Sequence, residues 1–221
     1  GKSFAAVFPE ASRAAAVDAY RAIFTAPDPP LTHEIQIQRR DGTVREAEVR
    51  AAFVEQNGVR TAMVSTIRDI TQRKRVEAEL REAEERFQGA FEVAPIGMAI
   101  VALDGRFVRV NPAECEILGY SEDELLSKSF QEVTHPDGLA DELALLNQLV
   151  NGELSSYTME KRFIRKDGTL IWGQLAVSLV RDHQGAPQYL VGQLEDVTAR
   201  KQAEAEVREA EERFRTFFEE I

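Results

Sequence analysis

The sequence RKDGTLIW, at residues 165–172, places an Asp-Gly pair between two segments with the residue pattern of β-strands. Asp-Gly is a strong hairpin signal because both residues tolerate the backbone conformation of a tight turn. We therefore predict antiparallel strands at residues 157–164 and 169–180, joined at Asp167 and Gly168. A similar block, RRDGTV, occurs at residues 39–44, at an offset of 126 residues. A hairpin signal that recurs at this spacing indicates a duplicated folding unit.

The duplication extends along the whole chain. The other matching blocks are GKSFAAV at 1–7 with SKSFQEV at 127–133, RDITQRK at 68–74 with EDVTARK at 195–201, and REAEERF at 81–87 and again at 208–214. Their order is the same in both copies, so we infer a tandem duplication of a unit of about 127 residues, the size of a domain. Only the second copy, residues 91–198, is whole, because the first lacks its N-terminal third. We therefore expect the chain to be a fragment of a longer protein.

The second copy has the pattern of an α+β domain. Its predicted strands are residues 96–103, 106–110, 157–164, 169–180 and 188–197. Asn111-Pro112 and the capping box SEDE at 121–124 predict the starts of two short helices. A third helix follows His135-Pro136-Asp137, with apolar residues at helical spacing up to residue 150. This order predicts a five-stranded antiparallel sheet with short helices on one face.

Four motifs of this copy point to a known family: NPAECEILGYSEDELLSKSF, THPD, RKDGTLIW and EDVTARKQAEAEV. Together they resemble the PAS domain with its C-terminal PAC motif. The resemblance covers residues 91–201, and residues 1–74 resemble the later part of another PAS domain. It implies the PAS fold and a sensor from a bacterial-type signal-transduction protein. In two-component and similar systems, tandem PAS domains usually lie upstream of an output domain, such as a histidine kinase or a diguanylate cyclase.

The segments that follow each copy have the residue pattern of long connecting helices. We divide the chain into part of a first PAS domain (1–71), a connector (72–93), a complete second PAS domain (94–198) and a second connector (199–221). Each connector carries apolar residues spaced four and three apart, which is the seam of a coiled coil. The seam residues are Val76, Leu80, Ala83, Phe87, Ala203, Val207, Ala210 and Phe214. They predict a homodimer through parallel helices; the alternative is a charged helix that packs on its own domain.

An Asp-x-Thr triplet precedes each connector. Asp69 and Thr71 occur in the first copy, and Asp196 and Thr198 in the second. The resemblance implies that the aspartate pairs with a basic residue and couples the last strand to the helix. Plain helix capping explains the same residues.

A ligand pocket is predicted between the sheet and the helices. Lys161 shares one strand face with apolar residues, so it could hold a carboxylate there; alternatively it lies at the rim with its ammonium group in water. Ile35 occupies the matching position of the first copy. The residues predicted to line this pocket could equally form a filled core. The candidate lining residues are Ile100, Leu118, Phe130, Leu143, Leu146, Met159, Lys161, Phe163, Val177, Leu179 and Val191.

No cofactor is identifiable from the residues. The segment SKSFQEV lacks the cysteine that photoactive LOV domains, a flavin-binding branch of the family, require there. Cys115 lies earlier and reads as a buried small hydrophobe. Residues 139–150 contain no histidine for haem, and the three histidines lack metal-ligand spacing. An unknown small-molecule ligand remains compatible with the pocket.

Composition and motifs exclude other functional classes. The net charge of −11 disfavours nucleic acid as a partner. No apolar run approaches the roughly 20 residues of a membrane span. The single cysteine suits a reducing compartment, so we expect a cytoplasmic protein. Without a nucleophile motif, a phosphate-binding loop or a phosphoacceptor segment, we expect no enzymatic activity in this chain. The other function considered is a PAS scaffold that dimerises without a ligand.

Overall fold

The computed structural model describes residues 8–25 and 32–219. These residues form two compact units, with the boundary between Glu85 and Arg86. The repeat block at residues 1–7 lies outside the described residues. No described helix combines the length and apolar character needed to cross a membrane.

The first unit is built around a three-stranded antiparallel sheet in the order β1-β2-β3. The elements are a 3-10 turn Glu10–Ser12, α1 Arg13–Thr25, β1 Thr32–Gln38, β2 Val44–Gln56, β3 Val59–Asp69 and α2 Thr71–Val93, the last of which continues past the unit boundary. Gly42 adopts a positive φ in the turn between β1 and β2, where RRDGTV predicts a hairpin.

The second unit contains the segment that the sequence predicts to be the complete copy. Its elements are β4 Gly97–Val101, β5 Phe107–Val110, α3 Pro112–Leu118, α4 Glu122–Leu126, α5 Phe130–Val133, α6 Pro136–Asn151, β6 Ser156–Ile164, β7 Leu170–Arg181, β8 Pro187–Asp196 and α7 Thr198–Glu219. The strands form one antiparallel sheet in the order β5-β4-β8-β7-β6. The predicted α+β class and five-stranded sheet are therefore confirmed.

Local signals explain where the short helices begin and end. The Asn111 side chain accepts a hydrogen bond from the Glu114 N–H, and Gly119 ends α3 in the left-handed conformation. Ser121 and Glu124 form the predicted capping box. The sequence analysis did not identify α5, which begins with a second capping box at Ser129.

The core of the second unit lies between one face of the sheet and helices α3–α6. Along β7, the alternate residues Ile171, Leu175 and Val177 are buried against it. Gly173 occupies the same row, and a Cβ there would lie 2.5 Å from side-chain atoms of Phe163 and Leu194. The absence of a side chain at this position therefore lets two large core residues meet over the sheet.

Candidate functional site

A cavity of about 50 Å³ lies inside the second unit, between the sheet and helices α3, α5 and α6. Its polar wall consists of Glu114, Glu142, Tyr157 and Lys161. The apolar wall comprises Ala99, Val101, Phe107, Phe130, Val133, Leu146, Phe163, Leu175, Val177, Leu190, Gly192 and Leu194.

Lys161 is engaged by a carboxylate of the protein itself. The Lys161 Nζ atom lies 2.5 Å from Glu142 Oε2 and 2.7 Å from Thr134 Oγ1. Lys161 is 2% exposed and Glu142 is 3% exposed. Burial raises the pKa of Glu142 and lowers that of Lys161, and the attraction between the two charges opposes both shifts. The rings of Phe163 and Phe130 lie 4.4 Å and 5.7 Å from the ammonium nitrogen.

Glu114 presents a second carboxyl group to the cavity. It is 5% exposed, and its Oε2 atom has no hydrogen-bond partner among the residues that the structure describes. Burial raises its pKa to about 7, against the opposing effect of Lys161. The Glu114 side chain lies against the backbone of Gly97, where any Cβ would collide with it. The site therefore contains a buried ion pair and a carboxyl group that retains its proton to higher pH than an ordinary glutamic acid.

Burial also acts on the remaining polar group of the wall. It raises the pKa of the Tyr157 hydroxyl above its usual value, so this side chain stays neutral.

The structure contradicts one of the two predicted environments of Lys161, the exposed position at the rim of the pocket. Its ammonium group does not reach water at the rim, since the side chain is almost completely buried. The partner that keeps it inside is Glu142, on α6. The position of Glu142 carried a signal: it lies three residues after Leu139 and four before Leu146, so the apolar stripe of α6 contains a carboxylate.

Five of the predicted pocket residues border the cavity: Phe130, Leu146, Lys161, Phe163 and Val177. Sequence reasoning missed the acidic members of the wall. Glu114 lies four residues before the fully buried Leu118 on α3, so its inward direction could have been inferred from helical spacing.

Three predicted residues lie away from the cavity. Ile100 and Val191 are paired in the register of β4 and β8, and they alternate with the cavity residues of those strands, so they occupy the other sheet face. Both faces of these strands carry apolar residues, so alternation alone assigns neither face to the core. Leu143 is 37% exposed on α6.

The other three predicted residues belong to the core without lining the cavity. Leu118 is fully buried, and Met159 and Leu179 are partly buried against the core.

The Asp-x-Thr triplet of the second unit holds the start of α7 to the sheet. Asp196 Oδ2 accepts a hydrogen bond from Arg165 Nη2 at 3.0 Å, and Asp196 Oδ1 accepts one from the Thr198 N–H at 2.9 Å. Thr198 Oγ1 in turn accepts from the Trp172 N–H at 3.0 Å. The aspartate thus combines pairing with a basic residue and local capping.

The first unit has the same arrangement. Asp69 accepts from Arg39 at 3.1 Å and from the Thr71 N–H at 3.0 Å. Thr71 Oγ1 accepts from the Glu46 N–H at 3.0 Å. In both units the basic partner of the aspartate comes from the hairpin motif, at Arg39 or Arg165.

The basic pairs that follow the triplets contact a different acidic residue. Arg73 and Lys74 bind Glu34 on β1. Arg200 and Lys201 bind Glu160 on β6. Each helix is therefore tied to its sheet through the triplet and through a second set of ion pairs.

The predicted seam residues lie on exposed faces of α2 and α7. Val76, Leu80, Phe87 and Val207 are each half exposed or more. Ala83, Ala203 and Ala210 are also exposed, and the side chain of Phe214 lies outside the described part of the structure. Phe87 nevertheless contacts its own unit: its ring centroid lies 5.8 Å from that of the buried Phe91, and the Arg109 guanidinium lies 5.7 Å from the Phe87 ring. The alternative of a helix that packs on its own domain therefore applies in part to Phe87.

Within residues 8–25 and 32–219, no three His, Cys, Asp or Glu side chains come together as a metal site. Cys115 is partly buried against the core, and burial raises the pKa of its thiol, which disfavours the reactive thiolate. His135 is the N-cap of α6, and its Nδ1 lies 2.5 Å from Asp137 Oδ1.

Comparison with known proteins assigns both units to one family. A family model described as "PAS fold" matches residues 85–197, and a model described as "PAS domain" matches residues 1–72. The crystal structure of a PAS domain from Colwellia psychrerythraea superposes with a TM-score of 0.50 and 17% identity, covering 53% of this chain and 98% of that one. This likeness concerns the fold.

Two curated relatives are signalling proteins. The probable diguanylate cyclase DgcE of Escherichia coli (strain K12) is 41% identical over 125 residues, which is 57% of this chain and 11% of that protein. Sensor histidine kinase TmoS of Ectopseudomonas mendocina is 28% identical over 125 residues, covering 57% of this chain and 13% of that protein. The matches thus span only a small part of either relative.

Proposed function

The chain belongs to the PAS family, and on that premise we propose that it is a sensory relay that dimerises and passes ligand- or partner-induced changes to a downstream output domain. PAS domains are sensory, non-catalytic modules, and this chain is homologous to those of histidine kinases and diguanylate cyclases. We propose an output domain of one of these two types. We retain the four segments 1–71, 72–93, 94–198 and 199–221 as its organisation, and a cytoplasmic location.

One observation carries the proposal: β8 extends from the cavity to the connector. Leu190 and Leu194 border the cavity, and Asp196, two residues later, binds Arg165. Thr198 then begins α7. A ligand that displaces β8 by a fraction of an ångström therefore moves the residues that hold the helix start, since a strand transmits displacement along its length.

The connector helices supply the second step. Their exposed apolar seam follows a heptad spacing, and such a face is most simply covered by the same helix of a second copy. A polar helix with a narrow apolar stripe is marginally stable alone, so dimerisation would stabilise it. We propose that rotation or a register change of this helix pair transmits the signal.

A scaffold that dimerises without a ligand is the second candidate. The volume of the cavity favours it, because about 50 Å³ accommodates only a few water-sized groups. Both candidates dimerise and transmit, so a small molecule bound to the purified protein would separate them, whereas the junction variant below tests the relay that they share.

The test replaces Asp196 with Asn in the longer protein that carries this chain, and measures the output activity. Glu195→Gln is the matched control, since Glu195 is an exposed acidic neighbour on the same strand. We expect Asp196→Asn to change the output severalfold, while the free energy of unfolding falls by only about 1 kcal/mol, as for other partly exposed ion pairs. If Asp196→Asn leaves both the output activity and its response to the stimulus unchanged, the proposed relay through Asp196 is contradicted.

A further inference from the structure

Resting on the proposed sensory function, we infer that the cavity of the second unit binds a small primary ammonium compound, with Glu114 as its counter-ion.

The first argument is the unsatisfied carboxyl. A buried polar atom without a partner destabilises a folded protein by about 1–3 kcal/mol, and more when it is charged. Glu114 Oε2 is in this position, while the neighbouring Lys161 and Glu142 satisfy each other. A ligand that donates a hydrogen bond to Glu114 would remove the penalty.

The second argument is the charge of the wall. The titratable groups that line the cavity are Glu114 from α3, Glu142 from α6, and Tyr157 and Lys161 from β6. With both glutamates ionised, these groups sum to one negative charge. A carboxylate ligand would add another negative charge close to two acids, whereas an ammonium group would neutralise the wall.

The third argument is size. A water-sized group needs about 10–15 Å³ of such volume, so the cavity holds a molecule of roughly four non-hydrogen atoms. The rings of Phe130 and Phe163 and the side chain of Leu146 provide an apolar wall for a short alkyl group. A short alkylammonium ion has both required parts, a charged head and an apolar tail.

The duplication supplies the fourth argument. In the first copy Ile35 replaces Lys161, and an alanine stands at the position of Glu142, Ala15 or Ala16 for an offset of 127 or 126 residues. The repeat thus occurs without this ion pair. Apolar replacements of a buried ion pair are often neutral or stabilising, so the fold does not require the Lys161–Glu142 pair, and its presence beside Glu114 is consistent with a binding role for this wall.

The experiment uses the purified chain with three probes of the same alkyl chain: propylammonium chloride, 1-propanol and sodium propionate. Thermal unfolding and isothermal titration calorimetry are measured at pH 8 and constant ionic strength for the wild type, Glu114→Gln and the control Glu116→Gln. Glu116 is an exposed glutamate on the same helix. Each variant is compared with itself in the absence of the probe, so a change in intrinsic stability does not affect the result.

We expect propylammonium to raise the melting temperature of the wild type and of Glu116→Gln in a saturable manner. Glu114→Gln should bind it about tenfold more weakly or worse, since the charge-assisted partner is lost. Binding to the wild type should also weaken below pH 7, as Glu114 becomes protonated.

Equal or stronger binding of propanol or propionate would overturn the assignment of an ammonium ligand and leave the sensory function standing. Binding of none of the probes would overturn it as well, because the cavity is sized for a molecule of this length. The relay itself is tested separately by Asp196→Asn, so the two failures are distinguishable.

Discussion

The carboxyl of Glu114 predicts how the stability of the second unit depends on pH. Its pKa is about 7 in the folded protein against an ordinary value of 4.5, because burial disfavours the charged form. As pH rises above 4.5, the unfolded chain releases this proton while the folded chain retains it, so stability falls. The loss is complete above pH 7 and amounts to about 3 kcal/mol, at 1.36 kcal/mol for each pKa unit.

Glu114→Gln keeps the size of the side chain and removes the proton. The wild type should therefore lose about 2 kcal/mol relative to this variant between pH 5.5 and pH 8. Urea unfolding at several pH values, followed by the fluorescence of Trp172, measures this difference. Trp172 is the only tryptophan of the chain and lies on β7, so the signal reports on the second unit.

Glu116→Gln is the control, because Glu116 is exposed on the same helix and its substitution should leave the pH profile of the wild type unchanged. A stability difference between wild type and Glu114→Gln that is constant with pH would contradict the raised pKa, since it would mean that the carboxyl has the same pKa in the folded and unfolded chains. If the wild type instead gains stability relative to the variant as pH rises, folding lowers the pKa of Glu114 and does not raise it.

Three further predictions concern the buried ion pair, the close approach at Gly97 and the seam of the connector helix. Lys161→Met should lower the free energy of urea unfolding by about 3–5 kcal/mol by leaving Glu142 buried without its partner, and adding Glu142→Met should recover most of the loss; no recovery would show that the pair is not the cause. Gly97→Ala should destabilise the second unit by about 1–3 kcal/mol in the same assay, because the new Cβ collides with the carboxyl group of α3; a neutral result would mean that α3 shifts freely. In sedimentation velocity, Leu80→Lys with Phe87→Lys should convert a dimer into a monomer, whereas Ala78→Lys, an exposed position opposite the seam, should not; a monomeric wild type would rule out the coiled coil.

The turns and helix starts were predictable because they depend on a few adjacent residues. Asp167-Gly168 and Asp104-Gly105 mark hairpins through the backbone freedom of glycine, and both glycines adopt positive φ. Asn111 and Ser121 cap their helices through bonds to the N–H three residues on. Such signals need no knowledge of the rest of the chain, so sequence alone locates these elements to within a few residues.

The strand faces were harder to assign. Alternation identifies which residues share a face, but it does not say which face meets the helices when both are apolar. Ile100 is a predicted pocket residue for this reason. In the structure it lies on one face of β4, and the cavity residues Ala99 and Val101 lie on the other. Only the packing of α3 and α6 against the sheet distinguishes the two faces.

The repeated blocks predict a duplication, and local patterns predict the α+β order of elements, the hairpin turns and the Asp-x-Thr junctions, because each pattern depends on residues that are close in the chain. The chemistry of the cavity depends on tertiary packing. Lys161 and Glu142 are 19 residues apart, and they meet because α6 packs on β6. Glu114 comes from a third element and remains unpaired beside them. The charge of a cavity is a sum over residues that are distant in the chain, so it is defined only when the fold brings them together.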